Sequence, residues 1–207
     1  YYLHSPPDDP DTMNSVLDVF ENLKNEGKIR SIGASIRGPD VSEDTINLSR
    51  QYIRTGRIDV LMLIYSIFRQ QMAEVFEEAH EAGIDIVART VLGSGFLTGK
   101  YKPGHVFDFE GDHRVRWGAK RLEWILREAQ EVSSLVPEQV YGSLPGFAIR
   151  FALDPPEVSS VIVGSRKPGQ ITDAMNVSNL PPIPEQLRQR LIGRYRDKGE
   201  RFNTGEY

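Results

Sequence analysis

The chain has 207 residues, with 25 Lys and Arg against 29 Asp and Glu and a formal net charge of −4. That balance argues against nucleic acid as a partner, because phosphate binding needs clustered positive charge. No apolar run approaches the ~20 residues of a membrane span. Cysteine is absent, which excludes disulfides, thiolate metal sites and cysteine nucleophiles and leaves the compartment open. With 39% apolar and 26% charged residues, one folded domain over residues 1–207 is expected.

Strand-like and helix-like runs alternate along the chain. Residues 1–4 read as a strand, so the sequence opens inside one. Residues 11–26 carry Val16, Phe20 and Leu23 at helical spacing, and Gly27 is a natural stop. A second strand is expected over 30–35. Ser42 then opens a helix carrying Ile46, Leu48, Tyr52 and Ile53. A third strand covers 59–65, a helix 71–82 with its stop at Gly83, and a fourth strand 84–89. A long Gly-rich and polar stretch, 90–118, precedes helices near 120–135 and 144–153. The fifth strand is 158–163, and helices near 169–177 and 185–198 end the pattern.

Near-continuous apolar strands alternating with helices imply a parallel sheet covered by helices. Leu3, Ile32, Val60 and Ile86 follow one another at 29, 28 and 26 residues. Such short, even units suit a (β/α)8 barrel better than a doubly wound sheet, although the pattern admits both. Five strands do not close such a barrel. Three further units upstream would add roughly 83 residues, for ~290 in all, so an N-terminally truncated barrel is expected.

Two loops invite a phosphate reading. Gly93-Ser94-Gly95-Phe96-Leu97-Thr98-Gly99-Lys100 fails the P-loop spacing, since Ser94 takes the place of its first Gly and Tyr101 follows Lys100. It also fails Gly-x-Gly-x-x-Gly, because Thr98 replaces the third Gly. What remains is a glycine-rich loop after a strand, able to admit an anion or to serve as an ordinary turn. Gly164-Ser165-Arg166-Lys167-Pro168-Gly169-Gln170 joins a strand end to a helix start beside two cations. That is an anion site by geometry and charge, with a solvated basic turn as the competing reading. His4 ends a strand, where barrels place their chemistry. Its imidazole can donate to a substrate oxygen or hold the Pro6-Pro7 turn. Asp8, Asp9 and Asp11 complement a helix dipole. His80 reads as a solvated helix residue, His105 and His113 lack metal-site partners, and no metal is expected. Trp117 and Trp124 read as core or lid residues.

In order, Leu3-His4-Ser5-Pro6, Gly27-Lys28-Ile29-Arg30-Ser31-Ile32-Gly33-Ala34-Ser35, Gly83-Ile84-Asp85-Ile86-Val87-Ala88, Leu92 to Tyr101, and Val161-Ile162-Val163-Gly164-Ser165-Arg166 with Gln170 span nearly the whole chain. Each is unspecific alone; together they resemble the aldo-keto reductases from the family's fourth strand onward. The resemblance implies a cytoplasmic NADPH-dependent oxidoreductase that moves hydride to a small-molecule aldehyde or ketone. His4 would match the histidine that orients the carbonyl, and Ser35 the serine that hydrogen-bonds the carboxamide. Leu92, Gly93 and Gly95 would lie along the pyrophosphate. Gly164, Ser165, Arg166 and Gln170 would form the last strand's cofactor segment, with Arg166 at the 2′-phosphate, and Asp173 would sit near the adenine.

There are departures. Ile36 follows Ser35 where many members have Asn. Met62 stands at a frequent Gln position, and Arg89 replaces the aromatic that stacks on the nicotinamide, a role a planar guanidinium can share. Asp173 and Ala174 replace a Glu-Asn pair. The family's catalytic Tyr, Lys and Asp precede its fourth strand, and Tyr65 and Lys100 match neither position, so the chain alone is expected to be inactive. A non-catalytic nucleotide-binding or regulatory protein on the same fold is the alternative.

Overall fold

The computed structural model describes residues 1–37, 42–196, 198 and 202. Five parallel strands pair in sequence order: β1 (Tyr2–His4), β2 (Gly33–Ser35), β3 (Val60–Ile64), β4 (Asp85–Arg89) and β5 (Val158–Val161). A parallel neighbour requires a crossover, and the first three are helical: α1 (Pro10–Asn25), α2 (Glu43–Thr55) and a 3-10 turn, Gln71–Val75, running into α3 (Phe76–Glu81). The fourth crossover is longer. It holds 3-10 turns at Gly93–Thr98 and His113–Arg116, then α4 (Ala119–Ser134), α5 (Glu138–Tyr141) and α6 (Leu144–Leu153). After β5 come α7 (Pro168–Asn176) and α8 (Glu185–Tyr195). This is an α/β fold with the layout of a partial (β/α)8 barrel. No helix among the described residues is long and apolar enough to cross a membrane.

Local chemistry explains the handovers. The Asp9 carboxylate caps α1 by accepting from the Thr12 amide at 2.8 Å, and Pro10 suits the first helical position. At the other end Gly27, with φ of 72°, reverses the chain. Its amide donates to Lys24 O and that of Lys28 to Leu23 O, a Schellman closure. Gly83 repeats this after α3, with Gly83 N on His80 O and Ile84 N on Ala79 O, delivering the chain into β4.

Alternation along the strands separates two faces. Leu3, Ala34, Leu61, Leu63, Ile86 and Ala88 are buried against the helices. There they join Leu17, Tyr52, Phe76, Ala79, Phe147 and Phe151 in one core. The opposite face carries Tyr2, His4, Ser35, Met62, Val87 and Arg89. Register stacks these residues in rows, Tyr2–Gly33–Val60–Asp85 and His4–Ser35–Met62–Val87. A barrel lines its interior with such layers. The strands are therefore two-sided rather than continuously apolar.

Several expected elements shift. The helix expected over 71–82 divides at Val75, whose backbone leaves the helical region (φ −103°, ψ 1°). The last helix ends at Tyr195, short of the expected 198; residue 197 lies outside the described residues. The strand expected over 158–163 ends its named pairing at Val161, although Ile162 N still donates to Ala88 O at 2.8 Å.

A buried ion pair ties α6 to the approach of α8. Asp154, with a side chain 3% exposed, accepts from Arg150 Nε at 2.7 Å and from the Ile183 amide at 2.9 Å. Removing one partner of such a pair leaves an uncompensated charge and an unmet amide. Asp154→Ala is expected to lower stability by about 3 kcal/mol, read as a reduced urea midpoint with an unchanged m value.

Candidate active site

Because all strands run parallel, their C-terminal ends share one rim, and the loops leaving that rim carry the expected site residues. His4 ends β1 and is exposed. Register sets it beside Ser35, and Ser35 beside Met62. Ser35 is buried and its hydroxyl points at Met62 Sδ, 3.6 Å away, a weak acceptor. Arg89 ends β4 and reaches back over β3, with Nη2 donating to Ile36 O at 2.8 Å. Burial pulls its guanidinium below the ordinary arginine value. Ser35, Ile36, Met62 and Arg89, the serine and three of the departures, are thus one contiguous patch.

The loop that presents His4 is braced from α2. Pro6 is buried, and Tyr52 donates to Pro7 O at 2.9 Å. Burial, with the Asp8 charge adding and Arg37 opposing, pushes the Tyr52 hydroxyl up to about 12. Tyr52 is thus a fixed donor. Arg37 pairs with Asp8 across the same loop at 2.9 Å.

Backbone strain gathers on this rim. Ser5 directly follows β1 and Thr90 directly follows β4, with φ of 54° and 60°; among the described residues the third positive-φ non-glycine is Ser94, with φ of 58°. A β-branched residue in the left-handed region is a true outlier, and such outliers concentrate at functional sites. Just past β3, the Ser66 hydroxyl is buried with no hydrogen-bond partner among the described residues.

The two loops after β4 and β5 differ from what their glycines suggest. The Gly93 amide donates to Thr90 O at 2.8 Å and the Gly95 amide to Leu92 O at 3.0 Å. Both donors are spent inside the loop, so these glycines contribute close approach rather than an amide cradle. Phe96 and Leu97 plug the loop into the core. In the second loop, Gly164, Ser165, Arg166, Lys167 and Gln170 are all exposed. Gln170 Oε1 accepts from the Arg166 and Lys167 amides at 2.9 and 3.1 Å, so its role is to shape the loop. Ser165 donates to Lys167 O at 2.9 Å. The cationic ends of Arg166 and Lys167 make no ion pair among the described residues. They stand at the N-terminus of α7, with Asp173 exposed one turn on.

Tyr65 and Lys100 are elsewhere. Tyr65 packs between Phe76 and Phe151 on the helix side, where burial pushes its hydroxyl up to about 12. Lys100 Nζ lies 5.1 Å from the Tyr101 ring centroid. A cavity of about 610 Å³ between α3 and α8 is lined by Tyr65, His80 and Arg188 and by none of the expected site residues. Among the described residues no group of three or more His, Asp or Glu could hold a metal ion.

The sequence profile of the Aldo/keto reductase family matches residues 1–191. The chain belongs to this family. It is 32% identical over 183 residues to the D-threo-aldose 1-dehydrogenase of a Pseudomonas species, covering 83% of this chain and 49% of that protein. It is 25% identical over 163 residues to the NADH-specific methylglyoxal reductase of Escherichia coli, covering 78% and 48%. Among solved structures, the holo form of aldo-keto reductase AKR11C1 from Bacillus halodurans superposes with a TM-score of 0.69 at 25% identity, covering 93% of this chain and 59% of that one. The chain spans about half the length of the curated relatives it matches.

Thr90 joins Arg89 to the glycine-rich loop, so its backbone strain falls between two rim elements. Thr90→Gly is expected to raise stability by up to about 1 kcal/mol, because glycine adopts this φ without strain. Chemical unfolding checks it, and a destabilised variant would count against strain at this position.

Proposed function

We propose that the protein is an NADPH-dependent oxidoreductase acting on a small-molecule aldehyde or ketone, and that this chain supplies most of its cofactor cradle and one active-site residue. The single observation that carries the reading is the pair of cations, Arg166 and Lys167, without an ion pair among the described residues, on a Gln170-shaped loop at the start of α7. Arg166 offers an always-charged, forked donor to a phosphate, and the helix terminus adds to its attraction. Fit is less complete at the other end. Ser35 keeps a hydroxyl for a carboxamide, but its neighbour Met62 is a weak acceptor and Arg89 takes the stacking position.

The bound cofactor would supply the hydride; the chain's own residues bind and orient. His4 stands 3.4 Å from the Ser5 hydroxyl through Nδ1. In the tautomer where the Ser5 hydroxyl donates to Nδ1, the imidazole carries its proton on Nε2 and can offer it to a carbonyl oxygen. Burying that oxygen against Nε2–H stabilises the charge it acquires as the carbonyl is reduced. The resemblance assigns proton delivery to a residue preceding the family's fourth strand, a role that neither Tyr65, facing the helices, nor Lys100, over Tyr101, takes. By the resemblance this is a tyrosine made more acidic by a lysine.

The relative named as NADH-specific makes cofactor choice the sharpest test. Titration of the protein with NADPH and with NADH should favour NADPH. Arg166→Ala should weaken NADPH by about 10- to 100-fold, the worth of a charged hydrogen bond to phosphate, and leave NADH within about threefold. Equal loss for both cofactors would remove Arg166 from the 2′-phosphate. A second reading, nucleotide binding without turnover, is favoured by the Met62 and Arg89 replacements beside Ser35. Turnover of any carbonyl by the complete protein would end it.

A further inference from the structure

The segment between β4 and α4 is organised around one buried cation. Arg114 is 7% exposed. Its Nε donates to Asp112 Oδ1 at 2.9 Å and its Nη2 to Asp112 Oδ2 at 2.6 Å. Nη2 also donates to the Tyr101 hydroxyl at 3.1 Å. The remaining arm, Nη1, reaches back twenty residues and donates to Ser94 O in the glycine-rich loop at 3.1 Å. The Phe107, Tyr101 and Phe96 ring centroids lie 4.4, 4.8 and 5.9 Å from the guanidinium carbon. The cation is therefore fixed on its edges by hydrogen bonds and surrounded by aromatic rings.

Ser94 sits in the middle of three successive positive-φ residues, Gly93, Ser94 and Gly95, at 56°, 58° and 91°. Two glycines give such a turn many alternatives, and Ser94 is strained in the one it adopts. The Arg114 hydrogen bond falls on the carbonyl of that strained residue. A Cβ at position 95 would lie 3.0 Å from Arg114 Nη1, so Arg114 and Gly95 also occupy one another's space. Arg114 beside Asp112 holds that carboxyl well below the usual carboxylate range, so the pair stays charged at any working pH.

We propose that Arg114, held by Asp112, is a positioning residue that latches the 93–95 turn in its ligand-ready shape and so sets how tightly the pyrophosphate of a dinucleotide is held. The proposal rests on the reading above that this turn flanks the pyrophosphate. The physical basis is preorganisation: a turn already fixed in the bound shape does not lose that freedom on binding. The latch is coordinated by side chains that never touch the ligand, which separates it from Arg166.

The test measures affinity of the protein for NADPH and for 2′,5′-ADP, which carries the adenosine and 2′-phosphate but no pyrophosphate. Arg114→Met should weaken NADPH at least tenfold through faster dissociation and leave 2′,5′-ADP within twofold. Arg114→Lys, which keeps the charge and loses the fork, should recover only part of the loss. Asp112→Asn, nearly isosteric, should weaken NADPH at least threefold and serves if Arg114→Met does not fold. NADPH affinity within twofold of the parent in Arg114→Met, or an equal loss for both ligands, would overturn the latch. A parent protein that binds neither ligand would instead overturn the cofactor reading beneath it.

Discussion

Parallel pairing of β1 through β5 in chain order is the constraint from which the rest follows. It forces each connection to cross back along the sheet, and helices make that return with their backbone groups satisfied. It also sends every strand's C-terminal end to the same rim. His4, Ser35, Met62 and Arg89 are far apart in sequence and belong to four different strands, yet register makes neighbours of the first three, and the fourth reaches back to Ile36. An antiparallel arrangement of the same strands would divide these residues between two ends.

The sheet then divides labour between its faces. The helix side is filled by Leu17, Leu61, Leu63, Ile86 and Phe151 and holds the fold together. The other face is released from that task and can carry polar groups. The loops at the rim are held from behind, by Tyr52 on Pro7, by Gln170 on the Arg166 and Lys167 amides, and by Arg114 on Ser94 O. In each case a side chain satisfies a main-chain group inside the loop. Reactive or charged ends such as His4 and Arg166 are left pointing outward. Two of these braces sit at or near strained residues, Tyr52 on Pro7 close to Ser5 and Arg114 on Ser94 itself.

Much of this was legible residue by residue. The apolar runs of β3 and β4 and the glycines that end α1 and α3 stand out, because burial period and left-handed closure are local properties. The five ordered motifs pointed to the aldo/keto reductase family, which the match over residues 1–191 bears out. The 90–118 stretch did not read as structure, because its organiser is a contact between Arg114 and Ser94, twenty residues apart and without periodicity. A break at Val75 inside a well-patterned helix was equally hidden. The loop of Gly93 and Gly95 read as able to admit an anion, but whether an amide is free depends on carbonyls that only the folded loop supplies.

The sequence by itself determined the alternation of strands and helices, their near-constant spacing, the absence of thiol chemistry and the family to which the chain belongs. The first three depend on composition and on short-range pattern, and the family on the resemblance of five ordered motifs. Only the tertiary structure decided that Ser35, Met62 and Arg89 form one patch and that Tyr65 turns away from it. It alone decided that Gln170 shapes its loop and that Asp112 and Arg114 lock the glycine-rich turn. The reason is geometric. Hydrogen bonds and ion pairs depend on distances of a few ångströms between residues whose separation along the chain carries no trace of them.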